Sequence, residues 1–330
     1  MTGYLSVLAG FALLIFGGEV LVRGAVALAE RLQVSAVLVG LTVVALGTSA
    51  PELSVAINAV LEGVPDLAVG NVVGSNISNI LLVLGGAALV RELRAETRMV
   101  MRDGLFLVAI STGLAALTLT GSINAVQGGL FVCLLGLYIV YGYWAERLGR
   151  SPVAERRIEE VEEFRGVPPQ FLFALPLIIA GIGGVVFGAE LLVAGAVSLA
   201  QAWGVSEAVI GLSVVAIGTS LPELAVSGVA AYRGRGDVAV GNIIGSNIAN
   251  TLGILGIAAM VSPLTVARQI AAYDIWVMVL ATFILIPVLL HGRSINRSEA
   301  AVFLLLYGLY ITSLFMGGSA YVIDLLGVSA

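Results

Sequence analysis

The sequence predicts an all-α membrane protein: ten transmembrane helices arranged as two inverted five-helix repeats. Three observations carry this expectation. Apolar residues make up 59% of the 330 and charged residues only 11%, with a mean hydropathy of +1.06, far outside soluble usage. Apolar stretches recur along the chain, each near or above the ~20 residues that cross a bilayer as a helix. The first half of the chain also recurs in the second. Backbone polar groups must be satisfied inside lipid, so spans are helices or closed barrels. The runs here are far longer than the ~10-residue alternating segments of barrel strands, which selects helices.

The ten spans are expected at about 3–30, 36–60, 66–90, 101–121, 124–146, 170–200, 206–231, 238–262, 269–291 and 299–323. The stretch from Tyr4 to Ala29 ends in a cleavage-like Ala27-Leu28-Ala29, but no positive segment precedes it and it is too long for a leader. It reads as the first span. One long polar segment interrupts the pattern over 147–169, mixing Arg156 and Arg157 with Glu155, Glu159, Glu160, Glu162 and Glu163 and closing on Pro168-Pro169. It reads as a cytoplasmic linker with a short surface helix and lacks the ligand spacing of an EF-hand loop. The repeats then occupy 1–146 and 170–330.

All sixteen basic residues are Arg. With the N-terminus outside, cytoplasmic connections hold fourteen of them: Arg31; Arg91, Arg94, Arg98 and Arg102; Arg147, Arg150, Arg156, Arg157 and Arg165; Arg233 and Arg235; Arg293 and Arg297. External connections hold only Arg268, and Arg23 lies in the first span. The positive-inside rule therefore places both termini outside the cytoplasm, in a multi-pass cell-membrane protein.

A shift of 171 residues lays Gly40-Leu-Thr-Val-Val-Ala-Leu-Gly-Thr-Ser-Ala-Pro-Glu-Leu53 on Gly211-Leu-Ser-Val-Val-Ala-Ile-Gly-Thr-Ser-Leu-Pro-Glu-Leu224. It lays Gly70-Asn-Val-Val-Gly-Ser-Asn-Ile-Ser-Asn79 on Gly241-Asn-Ile-Ile-Gly-Ser-Asn-Ile-Ala-Asn250, Glu19 on Glu190 and Asp103 on Asp274. Gly136-Leu-Tyr-Ile139 recurs one residue further on as Gly308-Leu-Tyr-Ile311. Five spans per copy is odd, so the second copy enters the membrane upside down. Inverted repeats that meet at a midplane site are a transporter pattern.

Glu52 and Glu223 fall mid-span at equivalent places, with no basic residue in their helices. A charge there costs several kcal/mol unless it faces a cavity or a partner. Two unpaired carboxylates brought together by symmetry repel, or one of them takes up a proton; a bound divalent cation removes the conflict. Pro51 and Pro222 disrupt the helical bonds to Gly47 and Gly218. Gly47-Thr48-Ser49 and Gly218-Thr219-Ser220 are thus expected to unwind and turn oxygens to an ion, and Ala45 and Ala216 to offer carbonyls. Spacing by four puts Asn71, Ser75 and Asn79 on one helical face, and their mates Asn242, Ser246 and Asn250 on another. Ser75, Asn79, Ser246 and Asn250 read as ligands because they recur beside unneutralised Glu. Asn76, about 100° around the helix from Ser75, reads as serving a different contact. Gly70, Gly74, Gly241 and Gly245 read as helix packing.

These two segments resemble the α-repeats of the cation/calcium exchanger superfamily, in its prokaryotic sodium/calcium exchanger branch. The resemblance covers all ten spans, with its motifs in the second, third, seventh and eighth. It implies four helices around the site, with the first and sixth as long, tilted gates. It makes Glu52 and Glu223 central ligands shared by Ca²⁺ and Na⁺, and Thr48 and Thr219 givers of backbone carbonyls. Ala45, Ser49, Ser75, Ala216, Ser220 and Ser246 match flanking sodium sites, and Asn79 with Asn250 completes the middle site. Some relatives carry Asp where this chain has Asn250, so its site holds two charges and points away from potassium dependence. An exchange of three Na⁺ for one Ca²⁺ is implied by the resemblance alone. A calcium/proton antiporter is the alternative within the superfamily; such relatives typically carry a Gln-containing motif where this chain has Asn.

Glu19 has Arg23 one turn on and reads as paired, whereas Glu190 has Ala194 there. Asp103 and Asp274 read as caps or interface charges near helix starts, and His291 as an interface residue. Tyr143, Trp144 and Tyr273 suit an aromatic belt. The lone Cys133 forms no intrachain disulfide. A passive cation channel is the more remote reading. No intramembrane His cluster, paired Asp or Ser/His arrangement supports an enzyme. The expected partners are Ca²⁺, Na⁺ and lipid, with no cofactor, nucleic acid or obligate protein partner.

Overall fold

The structure, a computed structural model, describes residues 2–148, 171–203 and 218–316. The linker beyond Leu148, Ala216, the first part of the seventh expected span and the end of the tenth lie outside the described residues.

The helices are α1 (Thr2–Leu32), α2 (Ala36–Thr48) and α3 (Ala50–Leu61), α4 (Pro65–Val90), α5 (Thr97–Thr118), α6 (Ala125–Leu148), α7 (Phe171–Ala202), α8 (Leu221–Tyr232), α9 (Gly236–Val261), α10 (Ile270–Leu290) and α11 (Arg297–Phe315). Eight are long and apolar enough to cross a bilayer, and α2 with α3 passes the same test as one span bent by 44°. The chain is an all-helical membrane protein.

Local signals set the helix ends. Pro65 opens α4 at a position where its missing N–H costs nothing. Asn296 and Glu299 form a capping box on α11. Ser35 caps α2 through Leu38 N, and its own N–H and hydroxyl are held by Glu146 of α6 at 2.7 and 2.8 Å. The turns into α4 and α9 use Gly63 and Gly234, 171 residues apart, both with positive φ.

The long helices α1 and α7 pack against each other along their length through glycines on both. A methyl group at Gly17 would lie 2.7 Å from Val185 N, and one at Gly188 would lie 2.8 Å from Leu14 N. Such backbone-to-backbone approach needs small residues on both faces. Gly245 of α9 meets α2 in the same way, where a methyl would collide with the Leu41 carbonyl. That is the packing role expected of the second GxxxG.

Two findings differ from the expectation. Helix α5 begins at Thr97 rather than near 101; of the two roles expected of Asp103 and Asp274, cap or interface charge, the structure shows the second. Each lies in a widened i→i+5 turn, over Val100–Gly104 and Ile270–Asp274. There each is buried and accepts a hydroxyl from a neighbouring helix: Tyr138 to Asp103 and Tyr310 to Asp274, both at 3.0 Å. They are interface charges. Sequence periodicity also gave no sign of two short antiparallel ribbons. β1 (Leu93–Arg94) pairs with β4 (Ser294–Ile295), and β2 (Ser122–Ile123) pairs with β3 (Leu264–Thr265). Each strand is two residues long, too short to carry an alternation. Because α5 separates β1 from β2 and α10 separates β3 from β4, the two ribbons lie at opposite ends of those helices.

Candidate cation-binding site

The bend between α2 and α3 sits on one residue. Helix runs through Thr48, Ser49 leaves it at φ −82° and ψ 12°, and Ala50 resumes it with Pro51 in the first turn. In the second copy two residues, Thr219 and Ser220, leave the helix, Ser220 at φ −85° and ψ 3°, ahead of Pro222. The unwinding is therefore narrower than the Gly-Thr-Ser stretch expected from sequence. Proline fits the first turn of a helix, where its missing N–H leaves no bond unmade. Ala45 O still accepts from Ser49 N at 3.0 Å and from the Thr48 hydroxyl at 3.2 Å.

Each break starts a new helix whose first turn carries the carboxylate, Glu52 on α3 and Glu223 on α8. Both side chains are fully buried, and they are near enough to repel. Glu223 Oε1 accepts from the Ser49 hydroxyl of the other half at 3.1 Å and from Ser246 at 3.3 Å. Ser246 in turn lies 3.5 Å from the Thr48 hydroxyl. Thus α2, α8 and α9 meet at one carboxylate. Neither Glu has a cationic partner among the described residues.

Helices α4 and α9 bring the amides. Ser75, Asn76, Asn79, Ser246, Asn247 and Asn250 are all buried. Asn71 donates to the main-chain oxygen of Glu52 at 3.3 Å, tying α4 to the start of α3. Asn242 donates to Ser227 at 3.2 Å. Widened turns over Asn79–Leu84 and Ala249–Ile254 follow the motif in both halves. Such turns recur at functional sites.

The hydrogen-bond account does not close here. Glu52 Oε1 and Oε2, Glu223 Oε2, Asn79 Oδ1, Asn250 Oδ1 and Ser220 Oγ are buried without a partner among the described residues. Leaving one buried polar atom unpaired costs ~1–3 kcal/mol, and more when it is charged. Five of these six atoms are pure acceptors, and all belong to residues singled out by the repeat. Hard oxygens with two negative charges suit a hard cation, which takes 6–8 oxygen ligands when it is Ca²⁺. Among the described residues no group of three or more His, Cys, Asp or Glu comes together, so the donor set does not suit a soft metal. Of the expected site residues, Thr48, Ser49, Glu52, Glu223, Ser246, Asn79 and Asn250 join this bonded or orphaned cluster. Ser220 adds its hydroxyl, unpartnered among the described residues; Ala45 and Ser75 are buried but make no hydrogen bond to either carboxylate; Thr219 is half-buried. Asn242, which the sequence places on this face without a ligand role, also has an Oδ1 unpartnered among the described residues. Its spacing of four from Ser246 was the available signal.

An apolar helical bundle enclosing unpaired carboxylates and amide oxygens defines a membrane transporter of cations. The profile of the family described as "Sodium/calcium exchanger protein" matches residues 2–144 and 173–316. The chain is 32% identical to the sodium/calcium exchanger MaX1 of Methanosarcina acetivorans, over 94% of this chain and 98% of that one. It is 34% identical to the inner membrane protein YrbG of Escherichia coli, over 93% and 94%. Among solved structures it resembles the sodium-calcium exchanger NCX_Mj with a TM-score of 0.80 and 32% identity, covering 95% of this chain and 99% of that one. The chain belongs to the sodium/calcium exchanger family, within the prokaryotic branch of the cation/calcium exchanger superfamily.

Proposed function

We propose that this protein is a secondary active antiporter that exchanges Ca²⁺ for Na⁺ by alternating access, with Glu52 and Glu223 as the shared central ligands. The observation that carries this reading is the pair of fully buried carboxylates, one from each half, without a counter-charge among the described residues. A bound cation supplies that charge, and its exchange for another keeps the site neutralised through the cycle. Around the pair, Asn79 and Asn250 complete a middle site, while Ser49, Ser75, Thr48, Ala45 and their mates Ser220, Ser246, Thr219 and Ala216 supply flanking oxygens. Asn in the third and eighth spans, where calcium/proton relatives typically carry a Gln-containing motif, favours sodium over proton as the driving ion, and neutral Asn at both 79 and 250 points away from potassium dependence.

The reading includes ten spans in two inverted repeats, over 1–146 and 170–330, in the cell membrane with both termini outside. The two ribbons support the inversion: a 171-residue shift carries β1 onto β3, and one residue more carries β2 onto β4. The same operation carries Tyr138–Asp103 onto Tyr310–Asp274. Helices α1 and α7, joined through their glycines, act as one gate that moves across the site.

The test is uptake of radioactive calcium into proteoliposomes loaded with Na⁺, repeated with a proton gradient alone. Uptake is expected only with internal Na⁺. Uptake driven by protons alone would overturn sodium coupling, and uptake with no counter-ion would indicate a channel. Glu52→Gln and Glu223→Gln are each expected to abolish exchange; retained transport in either would sink the shared site.

A further inference from the structure

We propose that Asn76 and Asn247 are positioning residues that hold Asn79 and Asn250 with their amide oxygens facing the cation and their NH₂ groups facing away. This rests on the cation site proposed above and assigns a role to two residues outside it.

An asparagine amide is two-faced. One end accepts and suits a cation; the other end donates and repels one. A half-turn of the terminal torsion exchanges the ends with little change of shape. A ligand Asn therefore needs something to fix which end faces the ion. Asn79 and Asn250 have such a device, and each draws it from the opposite half.

The orientation is set by main-chain carbonyls, which can only accept. Asn247 O receives Asn76 Nδ2 at 3.4 Å, and Asn76 O receives Asn247 Nδ2 at 3.2 Å. Thr251 Oγ1 takes a second bond from Asn76 Nδ2 at 3.0 Å. With their nitrogens committed, Asn76 and Asn247 must present Oδ1 on their other side. Those oxygens require donors. Asn250 Nδ2 meets Asn76 Oδ1 at 3.1 Å, and Asn79 Nδ2 meets Asn247 Oδ1 at 3.0 Å. The NH₂ groups of Asn79 and Asn250 are thereby drawn back, and their Oδ1 atoms are left buried without a partner among the described residues. Turning either ligand amide around would set oxygen against oxygen at ~3 Å and leave a buried NH₂ unpaired, which is costly. The crossed arrangement also welds α4 to α9, so the middle site keeps one shape whichever side the gate exposes.

The test compares Ca²⁺ binding by purified full-length variants, read as the Ca²⁺ concentration that gives half-maximal thermal stabilisation. Removing a group that orients a metal ligand typically weakens the metal 10–100-fold. Asn247→Ala frees the Asn79 amide and is expected to weaken Ca²⁺ by about tenfold or more. In an Asn79→Asp background the same change is expected to weaken it little, because a carboxylate presents oxygen either way round. Equal weakening by Asn247→Ala in both backgrounds, or none in the parent, would overturn the proposal. Asn76→Ala with and without Asn250→Asp repeats the comparison on the mirror side. Failure of both alanine variants to fold would assign these residues to packing and overturn it as well. Calcium binding retained by Glu52→Gln would instead bring down the site itself, a separate outcome.

Discussion

Arg233, the residue that ends α8, donates two guanidinium N–H groups to Glu19 of α1, at 2.7 and 2.9 Å. Arg23, one turn along α1, donates to the same carboxylate at 2.7 Å. Among the described residues the second half shows no such clasp: Glu190 is exposed, and Glu62 stands at the position 171 residues before Arg233. Among the described residues α1 is thus tethered by charge in one half only. The side chains of Arg233 and Arg23 are 39% and 45% exposed, so solvent screening keeps the pair weak. A double-mutant cycle of Glu19→Gln and Arg233→Gln is expected to give a coupling of about 0.5–1 kcal/mol that fades in high salt. Thermal unfolding in detergent at two ionic strengths measures it.

The unpaired carboxylates predict a stability effect that is the reverse of the transport effect. Replacing Glu52 by Gln removes a buried charge that has no protein partner and relieves its repulsion with Glu223. Glu52→Gln is expected to melt at a higher temperature than the parent in ion-free buffer. The parent should gain ~2.7 kcal/mol at a Ca²⁺ concentration a hundred times its Kd, and the variant should gain almost none. A parent that is already the more stable without ions would contradict the site as drawn.

Much of this was legible in sequence because it rests on long apolar runs and a repeat. Nine of the ten expected spans are seen along their greater part, and both carboxylates stand where proline marked a break. What stayed hidden needed spatial neighbours. Asn76 shares its motif with Ser75, and only the meeting of α4 with α9 reveals its bonds to Asn247 and Thr251. The i→i+5 turns around Asn79, Asp103, Asn250 and Asp274 leave no mark in periodicity, because one extra residue per turn shifts the face without breaking the apolar pattern. Proline predicted that the helix would break but not how far. Alpha geometry persists through Thr48 because one nonhelical residue, Ser49, makes the bend.

The seam between α1 and α7 predicts a position-specific cost. A methyl at Gly17 would meet main-chain atoms of Gly184 and Val185 at 2.7 to 3.0 Å, and backbone cannot swing aside as a side chain can. Gly17→Ala is expected to cost about 1–3 kcal/mol, the usual range for overpacking. Gly183→Ala on the exposed face of α7 is the control. It should be neutral or stabilising, since alanine favours helix over glycine by up to ~1 kcal/mol. Melting curves of the two variants decide the matter, and similar losses would argue against a close seam.

The two Tyr–Asp pairs look alike yet should respond differently. Asp103 accepts from Tyr138 and also from the Arg102 guanidinium, at 2.8 and 2.9 Å. Asp274 accepts from Tyr310 and, among the described residues, from one other side chain, the Gln269 amide at 3.3 Å. At the place equivalent to Arg102 the second half has Tyr273, whose hydroxyl bonds Ser313 instead. Tyr138→Phe therefore leaves a carboxylate still held by a cation, whereas Tyr310→Phe leaves a buried one held by a single long neutral bond. Removing one partner of a buried hydrogen bond costs ~1–3 kcal/mol, and more when the stranded group is charged. Tyr310→Phe is expected at or above the top of that range and Tyr138→Phe near its bottom, measured by unfolding of each variant in the same detergent. Adding Asp274→Asn to Tyr310→Phe should recover most of the loss, because a neutral amide needs no counter-charge. If the two tyrosine variants lose equal stability, the Arg102 bridge does not compensate for the phenol, and the difference between the halves has no energetic weight.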